Sequence, residues 1–210
     1  MALFTILLGG DLYVTQRLKQ QIAASYVIAA DSGIRHAVSL NIKPDLWVGD
    51  FDSCTISDKN DYSDLSIIEY NIDKDKSDGE LAIDIALQKG ATKIILCGAF
   101  GGSRFDHSLA HIAIAIKLAS KNIEVILTTG TDEAIPLVER VSIKPDWPQN
   151  TCFSVIAFSD LMGLVVKGAK WQLAGDTIIS SGSTHTLSNI VDGQLQIELS
   201  SGRAIVLAKI

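Results

Sequence analysis

The first candidate site is the stretch 46–52, Leu-Trp-Val-Gly-Asp-Phe-Asp, an apolar run that ends in two carboxylates. Side chains of a β-strand alternate between faces, so Asp50 and Asp52 are predicted to point the same way while Phe51 points into the core. Two neighbouring carboxylates repel each other unless a cation lies between them or one holds a proton. Oxygen ligands of this kind suit Mg²⁺ together with substrate phosphates; a polar turn after a buried strand is the alternative.

A second candidate site is the charged stretch 73–78, Asp-Lys-Asp-Lys-Ser-Asp. Ser77 begins a Ser-x-x-Glu capping box, which predicts that a helix starts there. The free amides and the dipole of a helix start favour anions. Asp78 is therefore a candidate metal ligand, and Lys74 or Lys76 is a candidate phosphate contact. A solvated charged loop with a good helix cap is the alternative interpretation.

A third candidate site is the glycine-rich stretch 98–107, Gly-Ala-Phe-Gly-Gly-Ser-Arg-Phe-Asp-His. Its glycines allow backbone amides to approach phosphate oxygens, and Arg104 adds a bidentate donor. It matches neither standard nucleotide-binding glycine pattern. His107 and His111 have the spacing of a zinc helix but no Glu between them, so we interpret His107 as a hydrogen bonder at the helix start and His111 as a core residue.

Trp171 is the aromatic residue that we single out in the C-terminal part of the chain. Such a residue either packs in a core or interface, or stacks on a flat heterocycle, above all a cationic one. The sequence gives no support for two kinds of nucleophilic catalysis. It contains no Gly-x-Ser-x-Gly elbow, and no cysteine lies in a polar, positively biased setting.

The elements that must position these residues alternate between apolar runs and helical patterns over the first 128 or so residues. Continuous apolar runs indicate strands covered on both faces, hence a mostly parallel sheet flanked by helices. Polar clusters follow five successive strands, at the sheet edge where ligands bind in such folds. The predicted strands are 3–8, 26–30, 46–48, 66–69, 93–97 and 124–127, and the predicted helices are 15–24, 34–40, 78–88 and 108–120.

From about Gly130 the helical periodicity disappears and glycines punctuate short β-rich runs. This pattern indicates a small antiparallel sandwich or barrel. We therefore predict two domains, an α/β domain over residues 1–129 and an all-β domain over residues 130–210. The predicted strands of the second domain are 134–138, 152–158, 164–166, 177–180, 194–199 and 204–207.

The composition of the 210-residue chain excludes some classes of function. The net charge is −6 and no basic block occurs, which argues against a nucleic-acid-binding groove. The three cysteines are far apart, so we expect no disulfide frame and a reducing, cytoplasmic setting. The apolar stretch 3–8 is too short to cross a membrane and is interpreted as a first buried strand, not a signal peptide.

Six segments together resemble the thiamin pyrophosphokinases, and the likeness is greater to the bacterial branch. The most specific is Gly-Asp-Phe-Asp-Ser at 49–53, and the order and spacing of all six agree with the family. Ser32 and Ser103 depart from it, because the family usually has glycine at both places. The segments are 31–33, 44–53, 74–78, 102–107, 170–171 and 188–189.

The resemblance implies an N-terminal α/β catalytic domain that binds nucleotide and Mg²⁺, and a C-terminal β sandwich for thiamin binding and dimerisation. It implies transfer of the diphosphoryl group of ATP to the thiamin hydroxyl in a homodimer with sites at the subunit junction. The implied metal ligands are Asp50, Asp52 and Asp78, and the implied catalytic residues are Asp78, Asp106 and Lys74. The implied ATP-binding residues are Asp31, Ser77, Gly101, Gly102 and Arg104, and the implied thiamin-binding residues are Trp171, Ser188 and Asn189.

Some alternatives stay open from the sequence. Another Mg²⁺-dependent kinase for a small alcohol, or a nucleotide hydrolase, would use the same scaffold. A non-catalytic sensor of thiamin or nucleotide is a second alternative, although it has no need of three aspartates that can bind a metal ion. Either Asp78 or Asp106 is a candidate for accepting the proton of the thiamin hydroxyl.

Overall fold

The computed structural model describes residues 2–51, 64–71 and 75–210. Asp52 and Lys74, two of the predicted site residues, therefore lie outside the described residues. Contacts divide the chain into two compact units. Unit 1 contains Met1–His111 and Leu127–Gly130, and unit 2 contains Ile112–Ile126 and Thr131–Ile210.

The sheet of unit 1 is parallel, and its strands are the predicted apolar runs. Its strands are β1 (Leu3–Leu7), β2 (Tyr26–Ala30), β3 (Leu46–Gly49), β4 (Ile67–Glu69) and β5 (Lys93–Cys97). They pair in the order β5-β1-β2-β3-β4, with Ile6 opposite both Ile28 and Leu96. These three side chains are completely buried, as expected where both faces of a sheet are covered. The predicted mixed α/β class is confirmed.

Strand β4 departs from this pattern, because its side chains are exposed. Ile67 and Ile68 are 43% and 38% exposed, although the sequence-based prediction placed both faces of every strand under cover. Among the residues that the structure describes, β4 pairs with β3 alone and so lies at one end of the strand order. An apolar run thus identified the strand but did not distinguish an edge strand from a central one.

Four α-helices occur in the described residues, namely α1 (Gln16–Ile22), α2 (Arg35–Leu40), α3 (Asp78–Gln88) and α4 (Phe105–Ala119). A 3-10 turn, Asp31–Ile34, precedes α2. Helix α4 begins three residues before the predicted start at Ser108. Its first three side chains are all exposed, so they add nothing to the apolar period that predicted the helix. In the described part of the chain, no helix combines the length and apolar character needed to cross a membrane.

Strand β6 (Glu124–Thr128) follows α4, and the strands of unit 2 come after it. They are β7 (Asp132–Val138), β8 (Val141–Ile143), β9 (Cys152–Ala157), β10 (Val165–Ala169), β11 (Leu173–Ala174), β12 (Asn189–Leu199) and β13 (Arg203–Lys209). They pair antiparallel in the order β7-β13-β9-β12-β10-β11, and β8 pairs with β12.

Strand β12 changes partner along its length. Its first two residues pair with β9, and the following residues pair with β10 and β8. The sequence missed β8 and β11, which have three and two residues. The predicted strand at 177–180 was wrong, since Ile179 forms only an isolated bridge to Leu161. The apolar core of this unit includes Phe153, Trp147 and Ile197.

Candidate functional site

A cavity of about 220 Å³ opens in unit 1 beside the ends of β1, β2 and β5 and the starts of α3 and α4. This is the sheet edge at which parallel α/β folds bind ligands. The cavity brings together residues from four polar clusters that are far apart in sequence. Its lining is Leu8, Gly9, Gly10, Ala30, Asp31, Ser32, Ser77, Asp78, Gly79, Gly98, Ala99, Gly101, Gly102, Ser103, Arg104, His107, Ser108 and His111.

Asp31 lines the cavity from the start of the 3-10 turn, in a backbone conformation that is rare for a residue with a side chain (φ 43°). Strand β3 contributes one hydrogen bond to Asp31 and leaves room for it at Gly49. The indole Nε1–H of Trp47 donates a hydrogen bond to the Asp31 carbonyl (2.9 Å). A Cβ added to Gly49 would lie 3.2 Å from Asp31 Cα and 3.2 Å from its Cβ. Gly49 in the Gly-Asp-Phe-Asp motif is therefore explained by the close passage of Asp31.

The start of α3 brings Ser77 and Asp78 to the cavity. Ser77 is the N-cap predicted from the sequence, and its Oγ accepts a hydrogen bond from the Glu80 N–H (3.3 Å). The glycine that follows Asp78 allows this end to approach Leu8, the residue after β1, because a Cβ at Gly79 would lie 2.8 Å from Leu8 Cδ2. A helix start with free amides is thus placed where an anion can bind.

The glycine-rich loop is held to the segment that follows β1 by Asp11. The Asp11 Oδ2 accepts a hydrogen bond from the Gly102 N–H (2.9 Å), and the Asp11 N–H donates to the Phe100 carbonyl (2.9 Å). Gly101 and Gly102 have φ values of +71° and +73°. A Cβ at Gly101 would lie 2.3 Å from Asp11 Oδ2, so this glycine is needed both for its conformation and for the contact.

Helix α2 contacts two cavity-lining residues, Gly9 and Gly10, through Arg35 and His36, which the sequence did not single out. Arg35 Nη2 donates to the Gly9 carbonyl (2.6 Å). His36 Nε2 lies 2.9 Å from the Gly10 carbonyl and donates to it, because a carbonyl oxygen only accepts. Burial lowers the pKa of His36, so its ring is neutral at pH 7. No motif marks these residues, since they act on backbone carbonyls.

His111 is buried (8% exposed) and forms part of the cavity wall. Its Nδ1 lies 3.0 Å from the Ala99 carbonyl and therefore donates to it. Its Nε2 would lie 3.5 Å from a Cβ at Gly79. Burial lowers its pKa below 6.5, and the charge of His107 acts in the same direction. The sequence-based interpretation of His111 as a packed residue is confirmed, but the ring also contacts the loop and approaches the start of α3.

Arg104 and Asp106 form a bidentate ion pair on the surface. Arg104 Nε and Nη2 donate to the two carboxylate oxygens of Asp106 at 3.0 and 2.7 Å. Hydrogen bonding to Arg104 lowers the pKa of Asp106 to about 2, and the same bonds raise the pKa of Arg104. Arg104 lines the cavity, whereas Asp106 is not among the described lining residues. Asp106 is therefore ionised at neutral pH and a weak base while the pair persists.

The predicted strand alternation does not extend to Asp50. β3 ends at Gly49, and Phe51 has φ +59°, so the two-residue period stops before Asp50, and Asp52 lies outside the described residues. Phe51 does point into the core, where its ring packs edge-on against Trp47 at 4.7 Å between centroids. Asp50 is half-buried and is not among the described residues that line the cavity.

Whether the described residues can bind a metal ion depends on which donor side chains they bring together. Across residues 2–51, 64–71 and 75–210, no three His, Cys, Asp or Glu side chains converge. Asp31 and Asp78 nevertheless both line the cavity and both supply carboxylate oxygens. This set fits Mg²⁺, which binds through one or two carboxylates plus substrate phosphates and water.

A second cavity, of about 400 Å³, lies in unit 2 and contains all three predicted thiamin-binding residues. Trp171 is 54% exposed, so it is not a core residue. Ser188 has φ +59°, and its N–H donates to Ser154 Oγ (3.0 Å). Asn189 is buried. The lining is Val155, Val166, Trp171, Leu173, His185, Thr186, Leu187, Ser188 and Asn189.

Comparisons with known proteins agree with one another. A family model described as thiamin pyrophosphokinase, catalytic domain, matches residues 18–127. The thiamine pyrophosphokinase of Bacillus subtilis (strain 168) is 32% identical over 167 residues, which cover 77% of this chain and 76% of that protein. Thiamine pyrophosphokinase 1 of Oryza sativa subsp. japonica is 27% identical over 168 residues, which cover 74% of this chain and 62% of that protein. A crystal structure of thiamine pyrophosphokinase from Bacillus subtilis has a TM-score of 0.84 and 26% identity, covering 99% and 98% of the two chains.

Proposed function

The chain belongs to the thiamin pyrophosphokinase family, and we propose that it uses Mg²⁺ and ATP to convert thiamin into thiamin diphosphate and AMP. The proposal also assigns a role to each of the two domains, as the family resemblance of the sequence implies. Residues 1–129 form the catalytic domain that binds ATP and Mg²⁺. Residues 130–210 form a β sandwich for thiamin binding and dimerisation, and the enzyme acts in the cytoplasm as a homodimer.

The observation that carries the proposal is the composition of the cavity in unit 1. It combines two carboxylates, Asp31 and Asp78, with the glycine-rich loop, the start of α3 and the guanidinium of Arg104. Backbone amides and a guanidinium bind phosphate oxygens, whereas carboxylates repel them unless a cation is present. A polyphosphate bound together with a divalent cation satisfies both sets of groups.

The reaction forms one bond and breaks another at the β-phosphorus of ATP. The oxygen of the thiamin hydroxyl attacks that phosphorus, and the oxygen bridging the α- and β-phosphorus leaves with AMP. The hydroxyl proton passes to a carboxylate. Such a transfer depends mainly on positioning and on neutralising charge. Backbone amides of the glycine-rich loop other than that of Gly102, which donates to Asp11, are proposed as donors for this purpose, together with Arg104.

The magnesium ligands in this proposal are Asp78 together with Asp50 and Asp52. Asp31 faces the nucleotide side and adds a further carboxylate to the cavity. When bound, Mg²⁺ neutralises the charge of the phosphate oxygens and aligns them for transfer. Lys74 is assigned to the phosphates as a point charge.

The proton acceptor in this proposal is one of the two candidates from the sequence, Asp78 or Asp106. The pKa of Asp106 is held at about 2 by Arg104, so Asp106 is a weak base while it is paired, and Asp78 would be a weak base while it binds Mg²⁺. Asp106 is also assigned to orienting Arg104, which it binds through two hydrogen bonds.

A product assay tests the proposal. The protein is incubated with ATP and Mg²⁺, with and without thiamin, and nucleotides are separated by chromatography. AMP and thiamin diphosphate are expected in equal amounts and only when thiamin is present. ADP, free phosphate, or AMP formed without thiamin would indicate another kinase or a hydrolase. Binding of thiamin without any turnover would indicate a sensor. Gel filtration with light scattering tests the homodimer.

A further inference from the structure

Two of the three hydrogen bonds of the Asn189 amide go to the backbone of Trp171. Asn189 Oδ1 accepts a hydrogen bond from the Trp171 N–H (3.1 Å), and Asn189 Nδ2 donates to the Trp171 carbonyl (2.6 Å). The same Oδ1 also accepts from the Ile190 N–H (2.8 Å). A primary amide has two donor hydrogens and two acceptor lone pairs, so three of the four positions are occupied.

The two residues differ strongly in exposure. Asn189 is 8% exposed and begins β12, whereas 54% of Trp171 is exposed. Trp171 lies just beyond β10 and lines the cavity of unit 2. The ammonium of Lys170 lies 4.7 Å from the ring centroid, so one region of the ring already carries a cation. The backbone of Trp171 is therefore fixed by the buried amide beside it.

Stacking of a cationic heterocycle on an indole requires a particular ring position, because the attraction depends on the cation facing the ring within about 6 Å. An exposed ring that moves relative to the cavity loses this attraction and must be ordered again on binding. Fixing the backbone of Trp171 from both its N–H and its carbonyl reduces that loss.

We propose that Asn189 is a positioning residue, which holds Trp171 at the cavity of unit 2 so that the indole can stack on the thiamin ring. Its role is thus indirect, whereas the family resemblance implied only that it belongs to the thiamin site. The inference rests on the proposed function of that cavity. It predicts that removing the amide weakens thiamin binding through Trp171.

The first experiment measures the fluorescence of Trp171 and does not require catalytic turnover. The chain contains three tryptophans, and the other two, Trp47 and Trp147, are 0% and 5% exposed. Acrylamide therefore quenches mainly Trp171, and the variant Trp171→Phe identifies its signal. Asn189→Ala should give faster local anisotropy decay of this tryptophan. An anisotropy decay identical to that of the unaltered protein would overturn the proposal.

The second experiment is a double-mutant cycle on the KM for thiamin. Asn189→Ala should raise that KM about tenfold, the size of effect expected from losing an aromatic stacking contact. In a Trp171→Ala background the same change should alter it by less than about twofold, because residues that act as a unit are not additive. Equal effects in both backgrounds would show a direct contact of Asn189 and overturn the proposal. The KM for ATP should stay within about twofold in every variant.

Two further variants separate positioning from folding. Asn189→Asp keeps the shape but places an acceptor oxygen against the Trp171 carbonyl, which then repels it, so its thiamin KM should be at least as high as that of Asn189→Ala. Gln149→Ala removes an exposed amide of the same unit that binds Asp192, and it should leave thiamin kinetics unchanged. If the unaltered protein fails to convert thiamin, the proposed function fails, whereas the anisotropy result still decides the role of Asn189.

Discussion

Replacing His111 tests whether the glycine-rich loop and helix α3 are held in place by one buried ring. His111→Leu removes the donor to the Ala99 carbonyl while keeping a side chain of similar size. His111→Asn is the matched variant, because its Nδ2 occupies the same branch position as the imidazole Nδ1 and retains the donor. The pair separates the hydrogen bond from the volume of the ring.

The size of the effect follows from burial. His111 and Ala99 are 8% and 1% exposed, so His111→Leu leaves the Ala99 carbonyl buried without this donor. An unsatisfied buried acceptor costs about 1–3 kcal/mol of unfolding free energy. The loop that carries Gly101 and Gly102 should also become less ordered, and the KM for ATP should rise about tenfold while kcat changes less. His111→Asn should recover most of both losses.

The ring also makes stability depend on pH. Burial lowers the folded-state pKa of His111 below 6.5, so the unfolded chain binds a proton first as the pH falls. The folded protein should therefore lose stability below about pH 6.5 and stop losing it once the buried ring is protonated. Both variants should remove the contribution of His111 to this dependence of stability on pH. The contribution of His36, whose pKa burial also lowers, should remain.

Urea denaturation at pH 7.5 and at pH 5.5, together with ATP kinetics, measures these effects. The explanation is refuted if His111→Leu unfolds at the same urea concentration as the unaltered protein and binds ATP equally well. Equal losses in His111→Leu and His111→Asn would also refute it, because the loss would then not depend on the hydrogen bond to the Ala99 carbonyl.

Three other predictions concern the site and the cysteines. Gly49→Ala should displace Asp31, because the new Cβ would lie only 3.2 Å from it. The KM for ATP should therefore rise without unfolding of the protein, and an unchanged KM would contradict this. NMR titration of the Asp106 carboxyl carbon should show no midpoint above about pH 3, since Arg104 holds its pKa at about 2 and the ion pair is lost only as the pH falls through that value. A thiol reagent at pH 8 should label the exposed Cys152 and spare the buried Cys97, because burial raises the pKa of Cys97 to about 12. Mass spectrometry identifies the labelled peptides, and labelling of Cys97 in the folded protein would contradict the prediction.

The strands and helices of unit 1 were predictable because both follow strong local signals. The apolar runs that became β1 and β5 are buried in a parallel sheet, and the cap at Ser77 places α3 at its observed start. These sequence signals failed where burial is one-sided or absent. The first turn of α4 is exposed, so its residues show no hydrophobic periodicity. β11 has only two residues, which are too few to show an alternation of apolar and polar residues.

The candidate site was only partly predictable, for a related reason. Side chains expected to bind ligand carry charge or follow glycines, so Asp31, Asp78 and Arg104 stand out in the sequence and line the cavity in the structure. Neither Asp11 nor His36 was singled out as a site residue from the sequence. Both act on backbone groups of other loops, and such partners are set by tertiary structure that no local spacing reveals.

The change of partners along β12 has a consequence for how unit 2 comes apart. A strand that pairs first with β9 and then with β10 and β8 belongs to both groups of neighbours, so neither group can separate without releasing part of it. Amide protons on both sides of Gly193 are thus expected to exchange with solvent as one cooperative block. Because this block begins at Asn189, a molecule seated against Trp171 would slow exchange as far away as Leu199.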